Sequence, residues 1–237
     1  MAKVNRTWRV LDHGPIERLE NNLWMVTGSV PGMELKRVMT VIRLDDGRLV
    51  IHSAIAVDDG AVAEIEAWGR PAVLLVPNGY HRLDAPAYLD RYPDLEVRCP
   101  KGARQKVEAV VRVDGDYDGF DGGPSVRLEH LDGVRKAEGV VTVRSDDRAT
   151  VILNDAVFNS PHGSGLSGFI LRYIMGSTGG PRVTRLFRVL AVKDRGALRR
   201  QLERLADTPV LERIIVSHHI PITDEPAATL RRVAAAL

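Results

Sequence analysis

The sequence predicts an α/β fold in which helices pack on β-sheet, and three features support this prediction. Short strands joined by tight turns come first, strands and helices then alternate, and three apolar runs each end on a titratable residue. Strands that alternate with helices are typical of a sheet covered by helices. The chain of 237 residues, 44% of them hydrophobic, is long enough to bury a large core.

The first strands are predicted to form an antiparallel sheet. Residues 8–11, 23–26 and 38–44 are short runs rich in β-branched or aromatic side chains, and Gly-Pro and Pro-Gly pairs separate them. Asp46-Gly47 then joins two apolar runs, which is a strong signal for a β-hairpin.

After residue 52 the pattern changes to alternating helices and strands. Asp58 is predicted to cap a helix that stops at Gly69, followed by a strand over 73–76. A short helix over 86–92 and a strand over 95–100 complete a βαβαβ order, which predicts helices on a sheet. The Asp- and Gly-rich segment 114–124 is predicted to be a loop joining two halves, 1–113 and 125–237, of a single domain that spans 1–237.

The second half repeats the mixture of strands and helices. Strands are predicted over 126–130, 140–144, 150–153, 187–192 and 214–216. Asp194 is predicted to cap a helix that places leucines at helical spacing, and Pro226 to open the last helix. Residues 166–175 read as an apolar helix between glycines, which is either a core helix, a lid over a site or a contact in a homodimer.

Composition limits the partners and the compartment. The formal charge is +2, from 33 basic and 31 acidic residues, and aromatic residues make up 5%, which argues against nucleic-acid binding and slightly favours a small anionic substrate or ligand. No apolar run approaches the roughly 18 residues of a membrane span, and no secretion signal opens the chain, so the prediction is a cytoplasmic protein without a membrane partner. The single Cys99 leaves only His and carboxylate ligands for a transition metal.

The candidate site residues follow the ends of three apolar runs. His81 and Asp84 follow the run at 74–76, Asp155 follows 149–153, and a His-His pair follows 214–216. Sites in open α/β sheets commonly lie at such strand ends. Imidazole nitrogen and carboxylate oxygen suit zinc, manganese or iron. If the three runs end at one edge, the sequence predicts a metal centre there.

Each candidate also has a structural alternative. His81 can bind the backbone of its own turn, Asp155 can form an Asx-turn, and Asp84 is placed to cap the helix that follows it. His218 and His219 are neighbours, so in an extended chain at most one of them faces a given site. Three further histidines are expected to be solvent-exposed or structural: His52, His130 and His162.

The order of these pieces resembles the metallo-β-lactamase-fold superfamily of metallohydrolases and oxidoreductases, in particular a bacterial branch of it. The resemblance rests on the antiparallel opening, on the Pro-Asn-Gly-Tyr-His turn at 77–81, on the segment 151–159 with Asp155, and on the Val-Ser-His-His end at 216–219. It covers roughly residues 20–235 and implies a four-layer αββα sandwich with a metal cleft along one sheet edge.

The resemblance also implies a ligand set, and this chain departs from it. In that superfamily the first metal motif is His-x-His-x-Asp-His after a strand, but here the turn offers only His81 and Asp84. The bridging aspartate matches Asp155, and the last histidine matches His218 or, with a one-residue shift, His219. The middle histidine has no clear counterpart, with Glu129, His130 and Glu138 the only nearby candidates.

Two functions are therefore predicted as alternatives. In the first, His81, Asp155 and His218 hold one divalent metal, either zinc, iron or manganese, and the protein hydrolyses an ester, amide or phosphoester, with Asp84 or His219 as general base or supporting a ligand. In the second, the protein holds no metal and is an inactive member that binds a small molecule or a protein. An oxidoreductase role is the remaining option.

Overall fold

Two β-sheets form the centre of the molecule. A computed structural model describes residues 4–162, 176 and 178–237, apart from the side chains of residues 33 and 34. The first sheet has six strands in chain order, and the second has four in the order β10-β9-β8-β7. The strands are β1 (Glu17–Glu20), β2 (Leu23–Val30), β3 (Met33–Arg43), β4 (Arg48–His52), β5 (Arg70–Leu75), β6 (Glu96–Arg98), β7 (Val126–His130), β8 (Gly139–Ser145), β9 (Arg148–Leu153) and β10 (Leu211–Val216).

Helices lie on the outer faces of both sheets. Three follow the strands of the first sheet, and three are interleaved with or follow the last strand of the second. A short 3₁₀ turn, Lys101–Ala103, leads into the third helix. Within the described residues the helices are α1 (Asp59–Trp68), α2 (Ala85–Arg91), α3 (Arg104–Glu108), α4 (Arg185–Leu190), α5 (Arg195–Ala206) and α6 (Pro226–Ala235).

The first sheet confirms the predicted change of pattern. Strands β1 to β4 pair antiparallel, while β4, β5 and β6 pair parallel and are connected through α1 and α2. The turn between β3 and β4 contains Gly47 at φ 80°, a left-handed conformation that glycine adopts without strain. The Asp-Gly hairpin signal and the βαβαβ order were therefore both correct.

The apolar side chains form three clusters, which define four layers. Alternate residues of a strand point to opposite faces. Ile51 thus packs in a cluster with α1 and α2, whereas its neighbour Val50 packs between the two sheets, where it shares a cluster with Val141 and Ile215. The third cluster joins the second sheet to α5 and α6. The molecule is a four-layer αββα sandwich, as predicted.

The helix starts are those that the sequence indicated. The Asp58 carboxylate accepts a hydrogen bond from the Ala61 amide at the start of α1, and Asp194 does the same for Ala197 in α5. On α5, buried leucines recur at helical spacing and face the second sheet. These caps each satisfy a backbone N–H that has no partner inside its helix.

Two predicted strands are wrong. Residues 8–11 form no strand, because Trp8 instead packs its ring 4.8 Å from that of Tyr88 and donates its indole N–H to the Val57 carbonyl. Residues 187–192 lie largely in helix α4 and the turn after it. Thr184 caps this helix by accepting from the Phe187 amide, and this local bond outweighs the β-propensity of the run.

The segment between the two sheets is a loop. Residues 114–124, all of them described, form neither helix nor strand, so the loop prediction is confirmed. The predicted helix over 166–175 lies outside the described residues. The single domain over 1–237 and the cytoplasmic location stay predictions. No helix in the described ranges has the length and apolar character that crossing a membrane requires.

Candidate metal centre

The three apolar runs singled out in the sequence end at one edge of the molecule. Strand β5 leads to His81, and β9 and β10 run parallel and side by side to Asp155 and His218. The two sheets are joined at this edge by backbone hydrogen bonds from the Val38 amide to the Ser217 carbonyl and from the Gly139 amide to the Pro77 carbonyl. The strand ends therefore meet.

Asp155 lies between two imidazole rings. Its Oδ1 is 3.0 Å from His81 Nε2 and 3.1 Å from His218 Nε2. The three ligand atoms all lie within 4.8 Å of one another. The two His side chains are about nine-tenths buried, and the Asp155 side chain is 19% exposed. We call these three residues the His-Asp-His cluster.

The hydrogen bond on the far side of His218 fixes which of its nitrogens is protonated. Nδ1 lies 2.8 Å from the Lys36 carbonyl oxygen, and a carbonyl can only accept, so Nδ1 carries a hydrogen and donates it. In the neutral ring Nε2 then has a lone pair, which faces the Asp155 carboxylate. Two acceptors face each other at 3.1 Å, which requires either a second proton on the ring or a cation between them.

His81 is held in a similar way but with less constraint. Its Nδ1 lies 3.0 Å from the hydroxyl of Ser53, the residue after β4. A hydroxyl can donate or accept, so this bond permits either tautomer of His81. In both histidines a bond to Nδ1 turns Nε2 toward Asp155, as is usual for histidines that bind metals.

Asn78 forms the turn that follows β5 and holds Asp155 in position. Its Oδ1 accepts from the amides of Tyr80, at 2.8 Å, and His81, at 3.1 Å, which forms the predicted turn. Its Nδ2 donates to Asp155 Oδ2 at 2.9 Å. The amide oxygen is used by the turn, so Asn78 orients the carboxylate while Asp155 Oδ1 stays directed at the histidines.

The carboxyl groups at this edge differ in their affinity for protons. Burial alone would raise the pKa of Asp155, but His81 and His218 hold that pKa well below its usual range. Burial raises the pKa of Glu138 well above its usual value, and the negative charge of Asp155 raises it further. Glu138 therefore keeps its proton to higher pH than an ordinary glutamate, while its Oε1 accepts from the Ala156 amide at 2.9 Å.

The donor set fits a divalent metal ion. Two imidazole nitrogens and one carboxylate oxygen are common ligands of catalytic zinc, which keeps a fourth position for water. Zinc bonds of about 2.0–2.1 Å in a tetrahedron place ligand atoms about 3.4 Å apart. The two His–Asp distances of 3.0 and 3.1 Å lie close to this value.

Solved structures share this architecture over almost the whole chain. A structure of DIM-1 metallo-β-lactamase exposed to ceftazidime matches with a TM-score of 0.63 at 14% identity, over 96% of this chain and 99% of that one. The chain has the metallo-β-lactamase fold. A metallo-β-lactamase from Hirschia baltica matches with a TM-score of 0.60 at 13% identity, over 93% and 98% of the two chains.

A third match is the metallo-β-lactamase FIM-1 from Pseudomonas aeruginosa in its mono-zinc form. The TM-score is 0.61 at 12% identity, over 94% of this chain and 96% of that one. No family model matches the sequence, and no curated protein is similar to it in sequence. At these identities the metallo-β-lactamase fold is what the matches establish.

Within the metallo-β-lactamase fold, Asp84 lies in different surroundings from the cluster. Its fully buried carboxylate is 2.6 Å from Arg37 Nη1 and also accepts from the Ala56 amide and the Asn5 side chain. The capping interpretation was wrong, because the side chain makes no hydrogen bond to the described amides at the start of α2. A charged carboxylate with no access to water is stabilised more by a paired cation than by the amides at the start of a helix.

His219 is placed outside the cluster. It adopts φ 71°, its backbone bridges to Asn159, and burial lowers its pKa below the usual histidine value. The prediction that at most one of the two neighbouring histidines faces the site agrees with this placement. The roles of Asp84 and His219 in catalysis stay predictions, and neither residue contacts the cluster among the hydrogen bonds and ion pairs of the described chain.

The other candidate residues of the sequence lie elsewhere in the molecule. Glu129 pairs with Arg204, and His162 Nδ1 lies 3.0 Å from the Thr178 hydroxyl. His130 stands near Asp116 and Asp118, a second group of metal-ligand types, but there the Lys101 ammonium bonds Asp118 and supplies the neutralising charge. Among these candidates only Glu138 approaches Asp155.

Three contributions to the cluster were not predicted from sequence. The Lys36 carbonyl could not be, because a backbone group leaves no signal in the sequence. Ser53 directly follows an apolar strand end, as the three candidates do, but hydroxyl residues are too common at such positions for this to be selective. The sequence indicates Asn78 only as a turn former, and its bond to Asp155 joins residues that are far apart in the chain.

Proposed function

We propose that the protein is a metal-dependent hydrolase in which His81, Asp155 and His218 hold one divalent metal, with zinc first and iron or manganese as alternatives. The observation that supports this most is the lone pair of His218 Nε2, which faces the Asp155 carboxylate because Nδ1 is committed to the Lys36 carbonyl. A cation between these two acceptors satisfies both of them without protonating the ring.

The surrounding residues each have a distinct part in this proposal. A divalent metal lowers the pKa of a water that it binds and polarises the bond to be cleaved. Ser53 and the Lys36 carbonyl orient the two imidazoles through Nδ1, and Asn78 orients Asp155 through Oδ2. Burial and the charge of Asp155 raise the pKa of Glu138 well above its usual value, which disfavours a second negative charge beside Asp155.

The substrate of the proposed reaction is a small molecule with an ester, amide or phosphoester bond. All three are cleaved by an activated water, so one open metal position is sufficient. FIM-1, which shares the fold, has been solved with a single zinc, so a mono-metal form is compatible with this architecture. The proposal for this chain rests on the cluster and not on that likeness.

A second candidate is an inactive binding protein without a metal. It is favoured by the short ligand set, since three residues remain where the resemblance implies about five or six. If both histidines are protonated, each can form an ion pair with Asp155 and the cluster is satisfied without a metal. The two candidates therefore differ in what lies between the imidazoles and the carboxylate.

Metal content distinguishes the two candidates. The untagged protein is purified without chelator, offered zinc, iron or manganese in separate samples, and analysed by mass spectrometry of the elements. The hydrolase proposal predicts about one equivalent of one metal per chain, since a single site of three ligands is present. Less than about a tenth of an equivalent in every sample would overturn it.

Two neighbouring histidines provide a matched pair of variants. His218→Asn should lose the metal, whereas His219→Asn should keep it, because only His218 belongs to the cluster. Asparagine tolerates the left-handed backbone of His219, so the control should fold. Equal retention of the metal by both variants would place the site elsewhere.

A further inference from the structure

A cavity of about 620 Å³ opens onto the His-Asp-His cluster. Its lining includes Asn78, Asp155 and His218, so a molecule in this cavity directly contacts two residues of the cluster. Most of the remaining lining comes from α4 with the residues that flank it and from the loop between β7 and β8, and Lys106 of α3 adds to it. The chemistry of these walls indicates what the cavity accepts.

One wall of the cavity is apolar and exposed. Leu186 and Leu190 of α4 line it and are 44% and 64% exposed, and Phe158 and Phe187 contribute aromatic rings. The residues of α4 are all exposed or half-buried. Large apolar side chains grouped on a surface are uncommon unless they meet a ligand or partner. This wall is suited to an apolar chain or ring.

Three cations also line the cavity: Lys106, Arg135 and Lys193. The ion pairs recorded for the described residues include none of these three. Lys106 Nζ instead lies 3.1 Å from the Tyr80 hydroxyl and 4.4 Å from the centre of its ring, and Lys193 Nζ donates to the Leu190 carbonyl. The three positive charges remain available to an anion.

The backbone that carries Arg135 is held in an unusual conformation. Arg135 and Lys136 both have φ 54°, a left-handed region that side-chain-bearing residues rarely adopt. The Gly102 amide donates to the Lys136 carbonyl, and a Cβ at Gly102 would lie 2.3 Å from the Arg135 carbonyl oxygen. The close approach fixes this turn and with it the position of Arg135 at the cavity.

We propose that the cavity binds a small amphiphilic anion, with its carboxylate, phosphate or sulfonate group on Lys106, Arg135 and Lys193 and its apolar chain or ring on α4. An amphiphilic anion is then the substrate class of the proposed hydrolase. Binding of the anion does not depend on that function, whereas its cleavage next to the metal does. The two carboxyl groups of the lining, Glu138 and Asp155, belong to the edge that carries the cluster. A ligand anion is therefore drawn to the opposite charges of the three cations.

Binding can be tested on the metal-free protein, so the result does not depend on the hydrolase proposal. Two fluorescent probes of nearly the same shape are titrated after chelator treatment: 1-anilinonaphthalene-8-sulfonate, which carries an anionic group, and N-phenyl-1-naphthylamine, which lacks it. We expect one site for the sulfonate, with the neutral probe bound at least about tenfold more weakly. Equal Kd values for the two probes would overturn the proposal.

Two sets of variants separate the charged and apolar parts. The triple variant Lys106→Gln, Arg135→Gln, Lys193→Gln should raise the Kd of the sulfonate probe about tenfold and leave that of the neutral probe unchanged. Leu190→Asn should weaken both probes. The control Arg18→Gln, Arg148→Gln, Arg231→Gln removes the same charge from exposed ion pairs elsewhere and should change neither Kd. A similar loss in the control would show that net charge alone attracts the probe and would contradict the site.

Competition experiments identify the anionic group that the cavity prefers. The dependence of probe binding on protein concentration tests whether a second copy of the chain covers the cavity instead. Displacement of the sulfonate probe by octanoate or by octyl phosphate, but not by octanol, supports the proposal and shows which group is preferred. A fall in probe binding as the protein concentration rises, together with a dimer in sedimentation, would show that a second copy covers the cavity and would overturn it. Selective probe binding without any metal uptake would leave this site intact and reject the hydrolase.

Discussion

Asp84 and Asp155 are two aspartates that follow strand ends, one fully buried and one partly exposed, and the protein compensates their charges in different ways. Asp84 is fully buried and bonded to Arg37, whose guanidinium is always charged. Asp155 is bonded to two imidazoles, whose nitrogens can exchange a proton for a metal ion. The permanent charge of Arg37 leaves no place for a metal ion at Asp84. At Asp155 a metal ion can replace the proton on an imidazole.

Access to solvent follows the same division. The Asp84 side chain is 0% exposed, whereas that of Asp155 is 19% exposed and lines the cavity. A chemical site needs a ligand atom that a substrate or metal can reach, so burial and partner together distinguish a structural aspartate from a functional one. Residue type and position after a strand did not distinguish them.

The largest effect is expected from removing the permanent cation. Arg37→Met leaves Asp84 buried beside only its amide partners, and an uncompensated buried charge lowers the free energy of unfolding by about 3–5 kcal/mol. Urea unfolding monitored by circular dichroism measures the loss. Arg18→Met, which breaks the exposed pair with Glu64, should cost less than about 1 kcal/mol. Similar losses in the two variants would mean that the buried Arg37–Asp84 pair contributes no more to stability than an exposed ion pair.

The second largest effect on stability is expected at His52, a buried ring that is paired neither with a permanent charge nor with a carboxylate. Both of its ring nitrogens lack a hydrogen-bond partner within the described structure, and burial lowers its pKa to about 3. The unfolded chain takes up a proton near pH 6.5, so the stabilisation is complete above that pH and is lost as the pH falls toward 3.

His52→Leu should therefore flatten the dependence of stability on pH. Between pH 7 and pH 5, the wild type should lose about 2 kcal/mol more than the variant, at about 1.4 kcal/mol per pKa unit. Urea unfolding at the two pH values gives the difference. Parallel stability profiles for the two proteins would mean that His52 is already protonated, or paired, in the folded state.

A smaller effect is expected at the hydroxyl that orients His81. Ser53→Ala removes the partner of Nδ1 without changing the backbone preference at φ 55° by much, since alanine also carries a Cβ. Loss of such an orienting group lowers metal affinity about tenfold. A chelator competition titration measures it. An unchanged affinity would mean that packing alone holds the ring.

The alternation of strands and helices was predictable from the sequence, because periodicity records which face of each element is buried, whereas the four-layer arrangement was implied by the resemblance to the superfamily. The Asp46-Gly47 hairpin, the Asp58 and Asp194 caps and the alternating strands were all recognisable from short stretches. The strand predicted over 187–192 is wrong because a short apolar run without strong periodicity does not distinguish a strand from a helix, and here Thr184 caps a helix. Trp8 failed because its packing on Tyr88 connects residues far apart in the chain.

The candidate site was predicted in part, and the missing part has a physical reason. His81, Asp155 and His218 could be named because strand ends deliver them to one edge. Their orientation could not, because it depends on the Lys36 carbonyl and on Ser53, which come from β3 and the end of β4. The partner of Asp84 was also hidden, since Arg37 lies 47 positions earlier, on β3, whereas Asp84 precedes α2.

Zinc affinity in a matched pair of variants tests the central contrast most directly. Asp155→Asn and Asp84→Asn each remove one negative charge, and both variants are titrated with zinc against a chromophoric chelator. Circular dichroism on the same samples confirms folding. We predict that Asp155→Asn weakens zinc binding more than about 100-fold, while folded Asp84→Asn stays within about threefold of the wild type. Unchanged zinc affinity in Asp155→Asn would contradict the proposed metal centre.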